Sequence, residues 1–201
     1  MPNLKTSYLG LELKNPLVVS SSPLTDNVTS VKQLEEAGAA AIVMRSIFEE
    51  QIEADVAEMA ASLAGDTSMA AIEYMRADLL GQLGPEKYVE KLRAMRMAVK
   101  IPIIASINCV KAANWITYAK KLERAGADAI ELNLYHMPVD PEEDAASVEA
   151  RRLQVVKTIR NEVKVPITVK LSKHYTSLLS FARMLDAAGV CGMVLFNRFL
   201  Q

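Results

Sequence analysis

Polar side chains stand at the ends of six short apolar segments of this chain. Such segments are typical of strands that are buried on both faces. The residues at these ends are Ser20, Ser21, Ser22, Arg45, Ser46, Asn108, Asn133, Lys170, Ser172, Asn197 and Arg198. Hydroxyl and amide groups can hydrogen-bond a polar ligand, and a lysine supplies a fixed charge or a Schiff-base amine. Together they predict a binding site, whereas any one of them alone would equally well satisfy loop backbone groups or point to solvent.

A repeat along the chain indicates how these ends are brought together. Three amphipathic helices end in similar five-residue phrases, at 34–38, 122–126 and 185–189, and each phrase closes on a glycine. Glycine ends a helix well because it adopts left-handed backbone conformations without strain. A short apolar run follows each glycine, and two Val-Lys-x-Pro phrases, at 99–102 and 163–166, precede two further runs. The alternation predicts right-handed βαβ units.

The predicted elements fill the chain in order. We expect strands over residues 17–20, 40–44, 103–107, 129–132, 167–171 and 192–196, and helices over 27–37, 50–63, 69–79, 85–97, 112–125, 145–161 and 178–188. Alternating polarity around a glycine predicts a hairpin over residues 4–14. The long connection after the second strand, residues 46–100, is typical of a lid or binding segment.

This order predicts an α/β fold, namely a (β/α)₈ TIM barrel of which about six of the eight βα units are present. We expect one domain over residues 1–201. Because such barrels usually take about 250 residues, the chain is expected to be part of a longer one, with its site at the carboxyl ends of the strands.

Composition and charge limit the partners, metal sites and location that are expected for this protein. The chain carries 23 basic and 24 acidic residues, evenly scattered, for a net charge of −1. This balance predicts no nucleic-acid partner and no membrane surface. No apolar run approaches a membrane span, and the N-terminus lacks a signal peptide's apolar core. Cys109 and Cys191 are interpreted as reduced packing residues, so a cytoplasmic location is expected. No histidine or cysteine spacing predicts a metal site.

Several of these segments also resemble one family. Asn15-Pro16 followed by an apolar pair and serines is similar to the first strand of class 1 dihydroorotate dehydrogenases. Arg45-Ser46 stands where that family has lysine and serine. The segments 131–134 and 169–172 resemble its fourth- and fifth-strand signatures, and Asn197 its sixth-strand asparagine. The resemblance covers the whole chain, and family members extend further.

The resemblance implies an FMN-dependent oxidoreductase that oxidises dihydroorotate or a related small acid, in pyrimidine biosynthesis if that substrate is retained. It places Lys170 at the flavin edge, where a cation stabilises the reduced, anionic ring. The implied cofactor-binding residues are Ser20, Ser21, Ser22, Arg45, Ser46, Asn108, Asn133 and Lys170, and the implied substrate-binding residues are Arg45, Asn133 and Asn197. The implied partner is a small-molecule substrate, with a homodimer left open.

The chain also departs from the family pattern. Counting from Asn133 puts His136 where the family has a cysteine or serine base, whereas aligning the prolines puts Met137 there. An imidazole with a pKa near 6.5 suits proton abstraction at neutral pH, so His136 and Lys170 are the predicted catalytic residues. The alternative is a loop histidine. Around residues 68–71, the amides that would hold a pyrimidine are absent.

Two other functions remain open from the sequence. Barrel aldolases use a Schiff-base lysine at a strand end, so Lys170 would be the covalent residue of a lyase, although the Val-Lys-Leu-Ser context of residues 169–172 favours the flavin role. A catalytically impaired paralogue would keep the barrel without turnover of dihydroorotate, which the substituted base loop favours.

Overall fold

The computed structural model describes residues 2–64, 85–109, 112–135 and 140–197. The strands are β1 (Thr6–Tyr8), β2 (Leu11–Leu13), β3 (Val18–Val19), β4 (Ala41–Val43), β5 (Ile47–Phe48), β6 (Ile103–Asn108), β7 (Ala129–Asn133), β8 (Ile167–Leu171) and β9 (Gly192–Leu195). The helices are α1 (Val28–Glu36), α2 (Glu49–Ala64), α3 (Pro85–Ala98), α4 (Ala112–Arg124), α5 (Ala145–Glu162) and α6 (Leu178–Ala187).

Six of the strands form one parallel sheet in the order of the sequence. The order is β3-β4-β6-β7-β8-β9, and every pairing is parallel. The sheet curls, and helical residues such as Trp115, Val156 and Phe181 pack with its outward residues in one apolar core. This arrangement confirms the predicted α/β fold, a partial (β/α)₈ barrel. The two-residue strand β5, which pairs with β6, was not predicted.

The helix-ending glycines adopt the conformation that the repeat requires. Gly38, Gly126 and Gly189 have φ angles of 105°, 94° and 84°. Each follows a helix that packs on the sheet, and the next strand begins within a few residues. The left-handed turn redirects the chain from helix to strand at all three positions.

The hairpin β1–β2 covers the amino-terminal end of the barrel, as predicted. At its tip, Leu9 is 5% exposed and packs against Val43, Ile104 and Ala129, which lie on three barrel strands. A Cβ atom at Gly192 would lie 2.6 Å from Leu9 Cδ2. A side chain at Gly192 would therefore force Leu9 to shift, and the Tyr8 ring, 3.2 Å from the same position, leaves little room beside it.

Two details of the sequence interpretation change. Cys109 is buried as expected, but Cys191 is exposed at the turn before β9 and is not a core packing residue. The excursion after β4 contains α2 and α3 as predicted, whereas the predicted helix 69–79 lies outside the described residues. Within the described part of the chain, no helix is both long and apolar enough to cross a bilayer.

Candidate functional site

The inner face of the sheet carries polar side chains in two layers. Lateral neighbours in a sheet point to the same face. Glu131 pairs in register with Ser106 on one side and with Thr168 on the other. Two residues closer to the carboxyl ends, Asn133 pairs with Lys170. All five side chains are at least nine-tenths buried, so strand register collects polar groups from three strands inside the barrel.

A chain of hydroxyl groups crosses this interior. The Oγ atoms of Ser21 and Ser46 are 3.1 Å apart, and those of Ser46 and Ser106 are 2.7 Å apart. Ser106 Oγ donates to Glu131 Oε1 at 2.8 Å. The backbone N–H of Ser46 also donates to Ser21 Oγ, at 2.8 Å. Ser21 follows β3, Ser46 lies between β4 and β5, and the other two residues are on β6 and β7. The four residues therefore form one continuous hydrogen-bonded series, which runs from the carboxyl-end rim of the barrel to the fully buried Glu131.

Tyr88 holds the backbone in the middle of this series. Its hydroxyl donates to the Ser106 carbonyl at 3.2 Å and accepts the Ser106 N–H at 3.0 Å. Burial raises the pKa of the Tyr88 phenol far above its ordinary value, so the hydroxyl stays protonated. The excursion helix α3, which carries Tyr88, thus fixes β6 at the residue whose side chain continues toward Glu131.

We expect Tyr88→Phe to lower the free energy of unfolding by about 1–3 kcal/mol, because it leaves a buried N–H and a buried carbonyl without their partner. Urea denaturation of parent and variant measures the difference. Tyr118→Phe is the matched control, since no hydrogen bond of the Tyr118 hydroxyl is found within the described residues. Equal losses in both variants would contradict the role assigned to Tyr88.

The Glu131 carboxyl is electrostatically linked to Lys170. Burial raises the pKa of Glu131 above its ordinary value of 4.5, while the Lys170 charge and the Ser106 hydrogen bond oppose that rise. Lys170 is 8% exposed. No hydrogen bond or ion pair of its ammonium is found among the described residues. A buried cation is costly without an opposite charge, so an anionic group at the carboxyl ends of the strands would stabilise Lys170 in addition to the Glu131 carboxyl.

Side-chain amides of two asparagines hydrogen-bond the loop after β7, at the carboxyl-end rim of the barrel near Lys170. Asn133 Oδ1 accepts the Tyr135 N–H at 3.3 Å, and Asn108 Nδ2 donates to the Tyr135 carbonyl at 3.3 Å. Both asparagines are buried, and both are partly engaged with the loop that follows β7. Within the described ranges, the structure shows no other side-chain hydrogen bond of either asparagine at the carboxyl ends of β6 and β7.

The other predicted site residues have more varied surroundings. Ser20 is exposed, whereas Ser22 starts the single-turn 3₁₀ helix Pro23–Thr25 and shares hydrogen bonds with Thr25. Arg45 is half-exposed and pairs with Asp26 at 3.4 Å. The backbone of Asn197 donates to the Leu171 carbonyl at 2.7 Å. Arg45 and Ser22 therefore have structural partners of their own, besides any ligand.

A cavity of about 430 Å³ lies beside this interior. Its walls include Ser20, Val43, Glu131 and Val194, with the hairpin below. A second cavity, of about 260 Å³, lies outside the sheet between α5 and the loop after β8, where His174 lines it. Of these two cavities, the first reaches the polar interior of the sheet, at Glu131. His136 and residues 68–71 lie outside the described residues, as does Arg198.

Sequence reasoning missed three side chains of this site. Glu131 appeared only as part of a motif, although an acidic residue within an apolar buried strand is itself a signal. Tyr88 stands in a helix of ordinary composition, and no sequence signal marks it. Tyr8 reaches from the hairpin to Thr168, with 3.2 Å between their hydroxyl oxygens. Only the tertiary contacts identify these last two.

Curated relatives of this chain carry dehydrogenase names. The catalytic subunit of dihydroorotate dehydrogenase B (NAD(+)) from Thermoplasma volcanium is 29% identical over 195 residues, which are 94% of this chain and 60% of that protein. The same subunit from Methanocaldococcus jannaschii is 26% identical over 204 residues, covering 96% of this chain and 62% of that protein. The chain thus spans about three-fifths of the length of these relatives.

Solved structures support the barrel fold. A phosphonopyruvate hydrolase matches with a TM-score of 0.56 at 16% identity, over 90% of this chain and 58% of that one. An IMP dehydrogenase/GMP reductase-like protein from Corynebacterium glutamicum matches with a TM-score of 0.53 at 15% identity, over 95% of this chain and 47% of that one. At such identities the likeness concerns the fold alone.

The family model described as dihydroorotate dehydrogenase matches residues 3–199, which is nearly the whole chain. It includes every strand of the curled sheet and the residues of both polar layers. On this match, this chain belongs to the dihydroorotate dehydrogenase family.

Proposed function

We propose that this chain is part of an FMN-dependent oxidoreductase that oxidises dihydroorotate or a related small acid. The observation that carries the proposal is the position of Lys170. It is a buried cation beside Asn133 on the inner face of a barrel that belongs to the dihydroorotate dehydrogenase family. An electron-rich ring edge placed there would compensate the charge, because opposite charges attract strongly in a water-poor interior. The donor set therefore fits the anionic, reduced form of a flavin.

The residues that would hold FMN are those of the carboxyl-end rim. Asn108, Asn133 and Ser20 would hydrogen-bond the ring system, and Lys170 would keep its positive charge at the edge where negative charge accumulates. When bound, FMN supplies a hydride acceptor. The chain's own residues orient the reactants, exclude water and handle protons.

The substrate proton needs a separate acceptor. His136 is proposed for that role from its position three residues after Asn133, since a neutral imidazole accepts a proton near pH 7. Arg45 would meet a carboxylate of the substrate with its planar, bidentate guanidinium. The ion pair with Asp26 holds Arg45 at the rim, which leaves its other donors for such a contact.

The direct test is a flavin titration followed by anaerobic mixing with substrate, on the protein at its full natural length. We expect stoichiometric FMN binding and bleaching of the flavin absorbance by dihydroorotate or by another acid from a screen of cyclic and 2-hydroxy acids. Trapping of a carbonyl substrate on Lys170 by borohydride would establish lyase chemistry instead. Failure to bind FMN would refute the proposal.

A further inference from the structure

The hydroxyl series inside the barrel ends at a group that the proposed reaction does not use. We propose that Ser21, Ser46, Ser106 and Glu131 form a proton relay between the buried Glu131 carboxyl and the rim of the candidate site. The inference deepens the proposed function and rests on it only for what Ser21 meets at the rim.

When Glu131 is ionised, the hydroxyl groups of the series can donate hydrogen bonds in only one direction, toward Glu131. A carboxylate accepts hydrogen bonds and cannot donate, so Ser106 gives its single hydroxyl proton to Glu131. Ser106 Oγ must then accept from Ser46, 2.7 Å away. Ser46 has no proton left for Ser21, so Ser21 donates to Ser46 across 3.1 Å. In this state Ser21 offers only a lone pair to a group at the rim.

With Glu131 protonated, the direction can reverse. Glu131 passes its proton to Ser106, Ser106 passes its own to Ser46, and Ser46 passes its own to Ser21. Ser21 then releases its original proton to an acceptor at the rim. One O–H bond breaks and one forms at each serine, so the net change is a proton moved from the carboxyl to that acceptor. The reverse sequence takes a proton from the rim and stores it on Glu131.

The surroundings of Glu131 allow both protonation states. Lys170 on β8 favours the carboxylate, whereas burial favours the neutral acid. Tyr8 on β1 and Tyr88 on α3 are close enough for the Glu131 charge to contribute to the raised pKa of both phenols. Since both phenols stay neutral, Lys170 is the one charged group among these neighbours. A cation and a dry environment act in opposition, which keeps the carboxyl titratable.

A measurement without flavin tests the connection. Infrared titration follows the protonated-carboxyl band of Glu131, identified by its loss in Glu131→Gln. In the parent, we expect the band to persist above pH 4.5, the ordinary pKa of this group. Ser106→Ala removes a hydrogen bond to the charged form and should raise that pKa further. Ser46→Ala should raise it less, although Ser46 does not touch Glu131, because its effect travels through Ser106.

Ser180→Ala is the control, since this serine is exposed on α6. It should leave the Glu131 titration unchanged. Ser106→Thr keeps a hydroxyl and should restore the parent pKa if Ser106→Ala alters it. If the Glu131 pKa is the same in Ser106→Ala and Ser46→Ala as in the parent, the relay is overturned.

A second measurement uses the flavin-loaded protein. Ser21→Ala and Ser106→Ala each break the same relay, so each should slow the onward transfer of the substrate's proton from the rim to Glu131, measured as slower flavin reduction. The rate of the double variant should lie within about a factor of two of the rate of either single variant, because the second substitution acts on a series that the first has already interrupted. Losses that multiply, or no loss in either single variant, would refute the relay. If the protein binds no FMN, the proposed function fails, and the infrared titration alone decides the relay.

Discussion

Replacing Lys170 with methionine is expected to slow flavin reduction by about 10²-fold, the usual cost of removing one preorganised group that stabilises developing charge. The flavin reduction potential should fall in parallel, by about 30 mV for each tenfold loss in stabilisation of the reduced form. Stopped-flow absorbance measures the rate, and a dye-equilibrated redox titration measures the potential.

The same substitution removes the desolvation cost of a buried cation, but it also removes the charge that favours the Glu131 carboxylate. The flavin-free fold should therefore stay intact with Glu131 protonated, because the pKa of Glu131 rises further when Lys170 is lost. Lys164→Met is the matched control, because Lys164 is exposed in the turn that precedes the same strand. An unchanged potential in Lys170→Met would show that this charge does not act on the flavin.

Replacing His136 with asparagine is expected to have the second large effect, on the rate and the pH dependence of flavin reduction. If His136 is the base, flavin reduction in the parent should rise with pH through an apparent pKa of about 6–7, because only the neutral imidazole accepts a proton. His136→Asn should remove that dependence and cost on the order of 10²-fold in rate. A pH series of single-turnover reductions measures both.

His174 supplies the control for this experiment. It is the other of the chain's two histidines, and it lines the cavity outside the sheet, away from the polar layers. His174→Asn should keep the parent's rate and pH profile. If His136→Asn reduces its flavin as fast as the parent, His136 is a loop residue. Absence of reduction in the parent with every acid tested would favour the impaired paralogue.

The sequence by itself determined the order and direction of the barrel elements. Helix-ending glycines and apolar runs are local signals, since each depends on a few adjacent residues and on backbone conformation. They predicted the sequential parallel sheet, and the five residues of β8 agree with the predicted range. The polar residues at strand ends were visible for the same reason, because a strand's end is readable without knowing its neighbours.

Only the tertiary structure decided which of those residues act together. Ser21 and Ser46 are 25 positions apart, and Ser46 and Ser106 are 60 apart, so their hydrogen bonds depend on strand register and on curvature of the sheet. Strands that are apolar on both faces do not reveal which face lines the barrel. The inward position of Glu131 therefore follows from packing, since the outer face is occupied by helices while the inner face holds Lys170 and the serine hydroxyls.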